Sequence, residues 1–377
     1  MSRIINLDFP PVFYFDEVYH AFTAREMLLG NTAAWEWWNT PPEGFAYEWT
    51  HPPLAKLFMA SGMALLGQNP IGWRLPGAIL GTATAFLVYL LGKLLFKKEA
   101  VGVLAAAVFA LDGLPLVMSR IGMNDTYFLF FSLLTIYLFL KKRFFLSAIS
   151  WGLALSSKWT GIWILPVLFG AMFLFKIKPR WNIFLFFILS PLVYLLSYTG
   201  FSLTGHTIGQ FAELQQQMWW YHTNLEATHL FYSSWWSWPL MLRPVWLFVE
   251  NKEGLVSSIY AMGNPFVFWG GLAALGVMGV VGVAKKQKES LFVFMAWGLF
   301  FLPWALSPRI MFLYHYLPAT PFLSLALGWF LSLQKRRLVF AFCLLLITFY
   351  LFFFPHWTGV FVPRWLDEFY YWLPGWR

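Results

Sequence analysis

Ten apolar runs dominate this chain and decide what it can fold into; they lie at roughly 74–96, 100–118, 124–140, 144–158, 160–175, 182–199, 264–284, 290–306, 314–333 and 338–354. A bilayer's hydrocarbon core is about 30 Å thick and a helix rises about 1.5 Å per residue, so runs of this size read as membrane spans. The two flanking Lys158 are short and closely joined, and read equally as one broken or re-entrant element. Composition agrees, because only 11% of the 377 residues are charged while 59% are hydrophobic and 21% aromatic, against about 25% charged in soluble domains. The expected fold class is an all-α polytopic membrane protein. A net charge of +9 does not make it a nucleic-acid binder, since the basic residues are scattered between apolar runs. The lone cysteine, Cys343, sits inside one of those runs, which excludes a disulfide framework or a Cys-based metal site within one chain.

The placement of the basic residues gives a topology. Lys97 and Lys98, then Lys141, Lys142 and Arg143, then Lys176, Lys178 and Arg180, then Lys285, Lys286 and Lys288, then Lys335, Arg336 and Arg337 fall in every second connection. By the positive-inside rule these five turns face the cytoplasm. Only Glu99 and Glu289 accompany them, so acid chemistry is expected on the other face, which points to a multi-pass plasma (inner) membrane protein with an extracytoplasmic site. The expected organisation is an outer segment 1–73, helices 74–199, an outer loop 200–263, helices 264–354 and an outer aromatic tail 355–377. Within the first segment, 54–66 reads as an interfacial helix opened by Pro52 and Pro53. No hydrophobic span precedes that outer segment, so a first helix is expected to lie upstream of the start or to be lost in a shortened relative of an eleven-span protein.

Several polar residues stand out against this background. Asp16 and Glu17 are adjacent at the start of a helix, where they point about 100° apart. They therefore read as one base and one positioning group, or simply as an acidic helix start favoured by the helix dipole, and not as a glycosidase-like pair. His51 opens the interfacial helix, and histidine changes charge near neutral pH. The seven histidines match no metal spacing, so neither a metal nor a cofactor is expected. Arg74, Arg120, Asp125, Lys158 and Arg309 lie at outer ends of spans. The cations among them are either anchors at the headgroup level or a set converging on a lipid-linked phosphate. Asp112 falls about 12 Å inside the second span; an intramembrane carboxylate marks a functional site or a buried partner for Lys158 or Arg120. The loop Tyr232-Ser233-Ser234-Trp235-Trp236-Ser237-Trp238-Pro239 offers faces for a sugar or for the membrane interface.

Taken in order, Phe15-Asp16-Glu17-Val18, His51-Pro52-Pro53-Leu54, Gly72-Trp73-Arg74-Leu75-Pro76, Leu111-Asp112-Gly113, Ser119-Arg120 with Asn124-Asp125, Ser157-Lys158-Trp159, Trp235-Trp236-Ser237-Trp238-Pro239, Gly263-Asn264-Pro265 and Tyr314-His315-Tyr316-Leu317-Pro318 resemble the protein O-mannosyltransferases in their bacterial form, over nearly the whole chain from about Pro10. The resemblance implies the GT-C glycosyltransferase fold, with about ten transmembrane helices and outer-face interfacial helices. It also implies polyprenyl-phosphate-mannose as donor and Ser/Thr hydroxyls of a translocated polypeptide as acceptor. Asp16 would be the catalytic base, Glu17 would position the acceptor and Arg74 would hold the carrier phosphate, with Arg120, Lys158 and Arg309 as further carry-overs. Where the family's first helix and the eukaryotic lectin-like insert would stand, this chain departs from the pattern. The bilayer, a dimer partner and the translocation machinery are the other expected partners, with no nucleic acid among them. A lipid-phosphate sugar brings its own leaving group, so the expected reaction is a metal-independent inverting displacement needing one base and a phosphate clamp. Competing readings are transfer of another sugar of the aminoarabinose or arabinose type, and a non-enzymatic transporter. Against the transporter stand the lack of paired repeats and the location of the polar set at helix ends.

Overall fold

A computed structural model describes residues 2–178 and 183–377, so Arg180 lies outside the described residues. The chain opens with a short 3-10 turn, Phe15–Val18, followed by α1 (His20–Leu28), a 3-10 turn at Thr32–Trp35 and α2 (Leu54–Leu66). Next come α3 (Pro70–Phe96), α4 (Glu99–Ala110), α5 (Gly113–Met118), α6 (Asp125–Leu140) and α7 (Phe144–Ser157). A 3-10 turn, Trp159–Trp163, leads into α8 (Ile164–Phe175), then α9 (Phe184–Ser197), α10 (Thr199–Leu203) and α11 (Ile208–Asn224). After the hairpin of β1 (Val245–Lys252) and β2 (Leu255–Ala261) come α12 (Pro265–Ala284) and α13 (Lys288–Phe301), which runs on as a 3-10 turn to Leu306. Another 3-10 turn, Leu313–Ala319, opens α14 (Thr320–Ser332). The chain finishes with α15 (Arg336–Thr358), β3 (Val362–Pro363) and α16 (Arg364–Asp367).

Among the described residues four helices, Pro70–Phe96, Pro265–Ala284, Lys288–Leu306 and Arg336–Thr358, are long and apolar enough to cross a membrane; the other apolar helices described are shorter. Their starts are written locally: the Asn69 side chain accepts from Gly72 N–H (3.2 Å) with Pro70 in the first turn, and Asn264 does the same for Phe266 (3.0 Å) with Pro265. The run 100–118 is not one helix but breaks between Ala110 and Gly113. Lys158 is extended (φ −160°, ψ 135°) and separates α7 from the next turn, so the pair flanking it is two distinct helices.

Small residues allow the closest crossings. A Cβ on Gly328 would lie 2.5 Å from the Ala105 nitrogen, so α14 lies directly on the α4 backbone; on Gly62 it would lie 2.2 Å from the Gly72 carbonyl oxygen, so α2 sits equally tight on the start of α3. That second crossing fixes α2 against the start of α3.

Among the described residues the departure from helix is a small antiparallel sheet in the order β1-β2-β3. β1 pairs with β2 from Val245 opposite Ala261 to Lys252 opposite Leu255. Between them Glu253 (φ +43°) and Gly254 (φ +84°) supply the two left-handed residues that a tight hairpin needs. β3 adds Val362 opposite Val256 and so ties the C-terminal tail to the hairpin.

Candidate active site

α3 and α6 begin near the polar residues and end at basic turns, and α7 runs back from Arg143 to Lys158. The site therefore gathers at the helix ends away from those turns, about 24 Å from them along the 16 residues of α6. There, Phe15 adopts a left-handed φ of +49°, a conformation that costs a bulky side chain energy and is held only by its surroundings. It turns the next residue, Asp16, into a cavity of about 250 Å³. Among the described residues the Asp16 carboxylate has no protein hydrogen-bond partner, and burial, aided by the negative charges of Glu48 and Asp125, pushes its pKa up to about 7.

The walls of this chamber include His20, Glu48, Thr50, His51, Asp125, Lys158, Tyr221, Arg309, Tyr314 and His315. Segment 48–51 is brought in by the buried Lys56 of α2, whose Nζ donates to the carbonyl oxygens of Glu48 and of His51 (2.8 Å). Lys158 pairs with Asp125 (Nζ to Oδ1 2.8 Å), the two side chains being 8% and 3% exposed. Asn124 ties the same corner by donating to the Ser157 carbonyl (3.4 Å). The rings of His20, His51 and His222 follow one another at centroid distances of 5.9 and 5.0 Å. Burial lowers all three: His20 and His222 to about 4, the latter also repelled by Arg309, and His51 well below its usual value. They are neutral imidazoles at pH 7. Arg309 packs over the Tyr221 ring (5.8 Å) and contacts the His222 ring, and its buried Nε has no partner. No carboxylate is paired with it among the described residues.

A second cavity of about 270 Å³ adjoins the first and is of opposite character, with Trp159, Ile162, Trp163, Trp219 and Trp304 in its lining. His51, Lys158, Arg309 and His315 line both and so form the wall between them. His315 is engaged at Nδ1 by the Phe312 backbone (3.0–3.1 Å) and stacked on Trp238 (6.0 Å). Trp238 itself is fully buried and donates to the Ser233 hydroxyl (3.0 Å), so it supports His315 and offers no face to a sugar.

Four expected site residues lie elsewhere. Arg74 and Glu17 form a buried two-pronged pair (Nε to Oε1 and Nη2 to Oε2, both 2.8 Å), with side chains 1% and 0% exposed. Arg74 also donates to the carbonyls of Leu7 and Val12 (3.0 Å each), while Glu17 also accepts from Gly122 N–H (2.9 Å). The expectation that Arg74 holds the carrier phosphate and Glu17 positions the acceptor is therefore corrected: all three Arg74 nitrogens and both Glu17 oxygens are engaged inside the protein, and both side chains are shut off from solvent. Arg120 is corrected likewise, its guanidinium donating to the carbonyls of Ser2, Arg3, Ile5 and Asn6. It anchors the N-terminal segment. Asp112 neither lines the cavities nor pairs with Lys158 or Arg120; it accepts from the Asn264 backbone N–H (2.8 Å) and joins the helix break to the start of α12.

Sequence reasoning missed His20, Glu48, His222 and the tryptophans of the second cavity as site residues. His315 was visible in its Tyr-His-Tyr-Leu-Pro block but had no role assigned. For Glu48 no spacing signal exists. Among the described residues no group of three or more His, Cys, Asp or Glu is arranged to hold a metal.

Comparison with known proteins fits this geometry. Residues 50–203 match the family model described as dolichyl-phosphate-mannose-protein mannosyltransferase, and residues 207–376 match that of the C-terminal four-helix membrane region of protein O-mannosyltransferase. The chain belongs to the protein O-mannosyltransferase family. It is thus a membrane-embedded glycosyltransferase. The polyprenol-phosphate-mannose–protein mannosyltransferase of Mycolicibacterium smegmatis is 24% identical, over 100% of this chain and 90% of that protein. Its Mycobacterium tuberculosis counterpart is 24% identical over 96% and 86%. In fold, the chain is similar to the Saccharomyces cerevisiae protein O-mannosyltransferase of the Pmt1–Pmt2 complex bound to the sugar donor, with TM-score 0.81, 16% identity and coverage of 100% and 91%. It also resembles ArnT from Cupriavidus metallidurans bound to undecaprenyl phosphate, with TM-score 0.66, 14% identity and coverage of 91% and 60%. Both are GT-C folds, as expected for this mannosyltransferase.

Proposed function

We propose that this protein transfers mannose from polyprenyl-phosphate-mannose to Ser or Thr hydroxyls of a polypeptide on the non-cytoplasmic face of the plasma membrane, by a single inverting displacement without a metal. The observation that carries this reading is the junction of the two cavities. A polar chamber holding an unpartnered carboxylate meets an aromatic one suited to an isoprenoid, and two cations stand at the meeting point.

The acceptor hydroxyl oxygen bonds to C1 of mannose while the bond from C1 to the phosphate oxygen breaks. Its proton passes to Asp16, whose elevated pKa of about 7 suits a general base working near neutral pH. The electron pair leaves with the phosphate, where Lys158, Arg309 and the His315 imidazole stabilise the growing charge. The carrier chain extends past Trp163 and Trp219. Glu17 and Arg74 act one layer below, by holding the turn that presents Asp16.

The test is transfer of radiolabelled mannose from polyprenyl-phosphate-mannose to a Ser/Thr-rich peptide, in membranes containing the wild type or Asp16→Asn. Transfer by the wild type that Asp16→Asn abolishes at unchanged protein level supports donor and base together. Transfer from a different lipid-phosphate sugar, with none from the mannose donor, would overturn the sugar assignment.

A further inference from the structure

Glu48 is a second carboxylate in the chamber that the reaction as written leaves without a task. It is 8% exposed and has been brought there at some structural expense. Its backbone N–H donates to the Thr23 hydroxyl (2.7 Å) and its carbonyl takes one Nζ hydrogen bond of Lys56. The carboxylate accepts from the Thr50 hydroxyl at Oε1 (2.6 Å), while Oε2 stands 4.0 Å from His20 Nε2. A buried carboxylate supported by one hydroxyl and facing a neutral ring keeps most of its field for its surroundings.

We propose that Glu48 is a positioning residue for the reaction: fixed and ionised by Thr50 and Lys56, it shares the chamber with Asp16 and by like-charge repulsion keeps Asp16 a strong enough base to take the acceptor proton. This rests on the reading of Asp16 as that base.

The charges around Asp16 make the assignment specific. The anions facing it are Glu48 and Asp125, and the cations are Lys158 and Arg309. Asp125 is joined to Lys158 at 2.8 Å, so those two largely cancel at a distance. Glu48 has no such partner at its carboxylate, and its effect on Asp16 ranks first among the charges, after burial. His20, His51 and His222 are lowered by burial and stay uncharged near pH 7. Tyr19, Tyr221 and Tyr314 are raised by burial and stay protonated. The remaining imidazoles of the lining are His229 and His315. For Glu48 itself, burial alone would raise its pKa, but the charge that His20 carries when protonated, the Lys56 ammonium, the Thr50 hydroxyl and the protonated form of His222 outweigh this and hold it below the usual glutamate value; near pH 7, where both imidazoles are neutral, Lys56 and Thr50 are the groups that keep it ionised. Two carboxylates in one site are thereby pushed apart, one remaining charged while the other exchanges a proton, which is the pattern that separates a working base from its electrostatic support.

The experiment follows the Asp16 proton directly. In the purified full chain in lipid nanodiscs, pH-difference infrared spectroscopy records the protonated-carboxyl band that is lost in Asp16→Asn. In the wild type its midpoint lies near 7. In Glu48→Gln, isosteric and still able to accept from Thr50, the midpoint falls by about one pH unit or more, and the acid limb of kcat/KM for mannose transfer moves with it. Glu48→Asp keeps the charge and returns the midpoint toward the wild-type value. Glu48→Met, neutral and of similar length, replaces Glu48→Gln if a thermal melt shows that the latter does not fold. A midpoint unmoved by either neutral variant, or moved as far by Glu48→Asp as by Glu48→Gln, overturns the proposal. A midpoint that moves as expected in a protein that transfers no mannose leaves the coupling standing and removes the functional reading instead.

Discussion

Asp16 and Glu17 are neighbours in sequence, yet they belong to two regions with opposite properties. Around Glu17 lies a closed layer, in which carboxylate and Arg74 guanidinium meet edge to edge and further hydrogen bonds run to the backbone of Leu7, Val12, Tyr14 and Gly122. Around Asp16 lies an open chamber, where the carboxylate has no hydrogen-bond partner among the described residues and the arginine in reach, Arg309, packs on the Tyr221 ring and contacts the His222 imidazole. The residue types are the same in both. What separates them is whether hydrogen-bonding capacity has been filled from within. A filled pair fixes backbone geometry, whereas an unfilled one is left to meet a substrate.

The sharpest way to break this comparison is Asp16→Asn, which is expected to lower transfer by about 10²- to 10⁴-fold with no change in melting temperature; a matching loss of stability would put Asp16 in the structural class. Glu17→Ala is expected to do the reverse. Leaving Arg74 buried and unpaired costs about 3–5 kcal/mol, so the melt in detergent should fall steeply and activity should follow the amount of folded protein. Arg309→Ala is expected to weaken donor binding by about 10- to 100-fold, the worth of a charge-assisted hydrogen bond, seen as a raised KM with the melt unchanged. If it instead melted like Glu17→Ala, the two arginines would not differ in kind. The smallest effect is expected from Trp163→Ala, about three- to tenfold in KM, present for a long polyprenyl carrier and absent for a donor with a truncated chain.

Much of the fold is legible in the sequence because the bilayer sets the length of an apolar run, and each of the ten runs contains helix. The breaks are legible too, though only in part: Asp112 marks one, but its depth suggested a cation partner, and the structure gives it a backbone N–H 152 positions away. The hairpin was readable and went unread. Val245 to Val249 and Val256 to Tyr260 flank a Glu253-Gly254 turn, a strand-turn-strand pattern overshadowed by the surrounding tryptophans. The site divides along the same line as the two regions. Asp16, Lys158, Asp125, His51 and Arg309 announce themselves as polar groups at helix ends and meet in one chamber. Arg74 announces itself equally well, and nothing local reveals that Glu17, 57 positions away, closes on it. Whether a polar residue is satisfied depends on long-range pairing, and motif spacing does not carry that information.

The left-handed Phe15 has a consequence for attempts to make this enzyme sturdier. Replacing it with glycine would relieve about 1–2 kcal/mol of backbone strain, while removing the ring that packs edge-on against Tyr314 (6.1 Å) and freeing the turn whose rigidity aims the neighbouring carboxylate. Robustness and rate are thus set against each other at a single residue, and selection for heat resistance alone would tend to blunt the catalyst at the position just before its base.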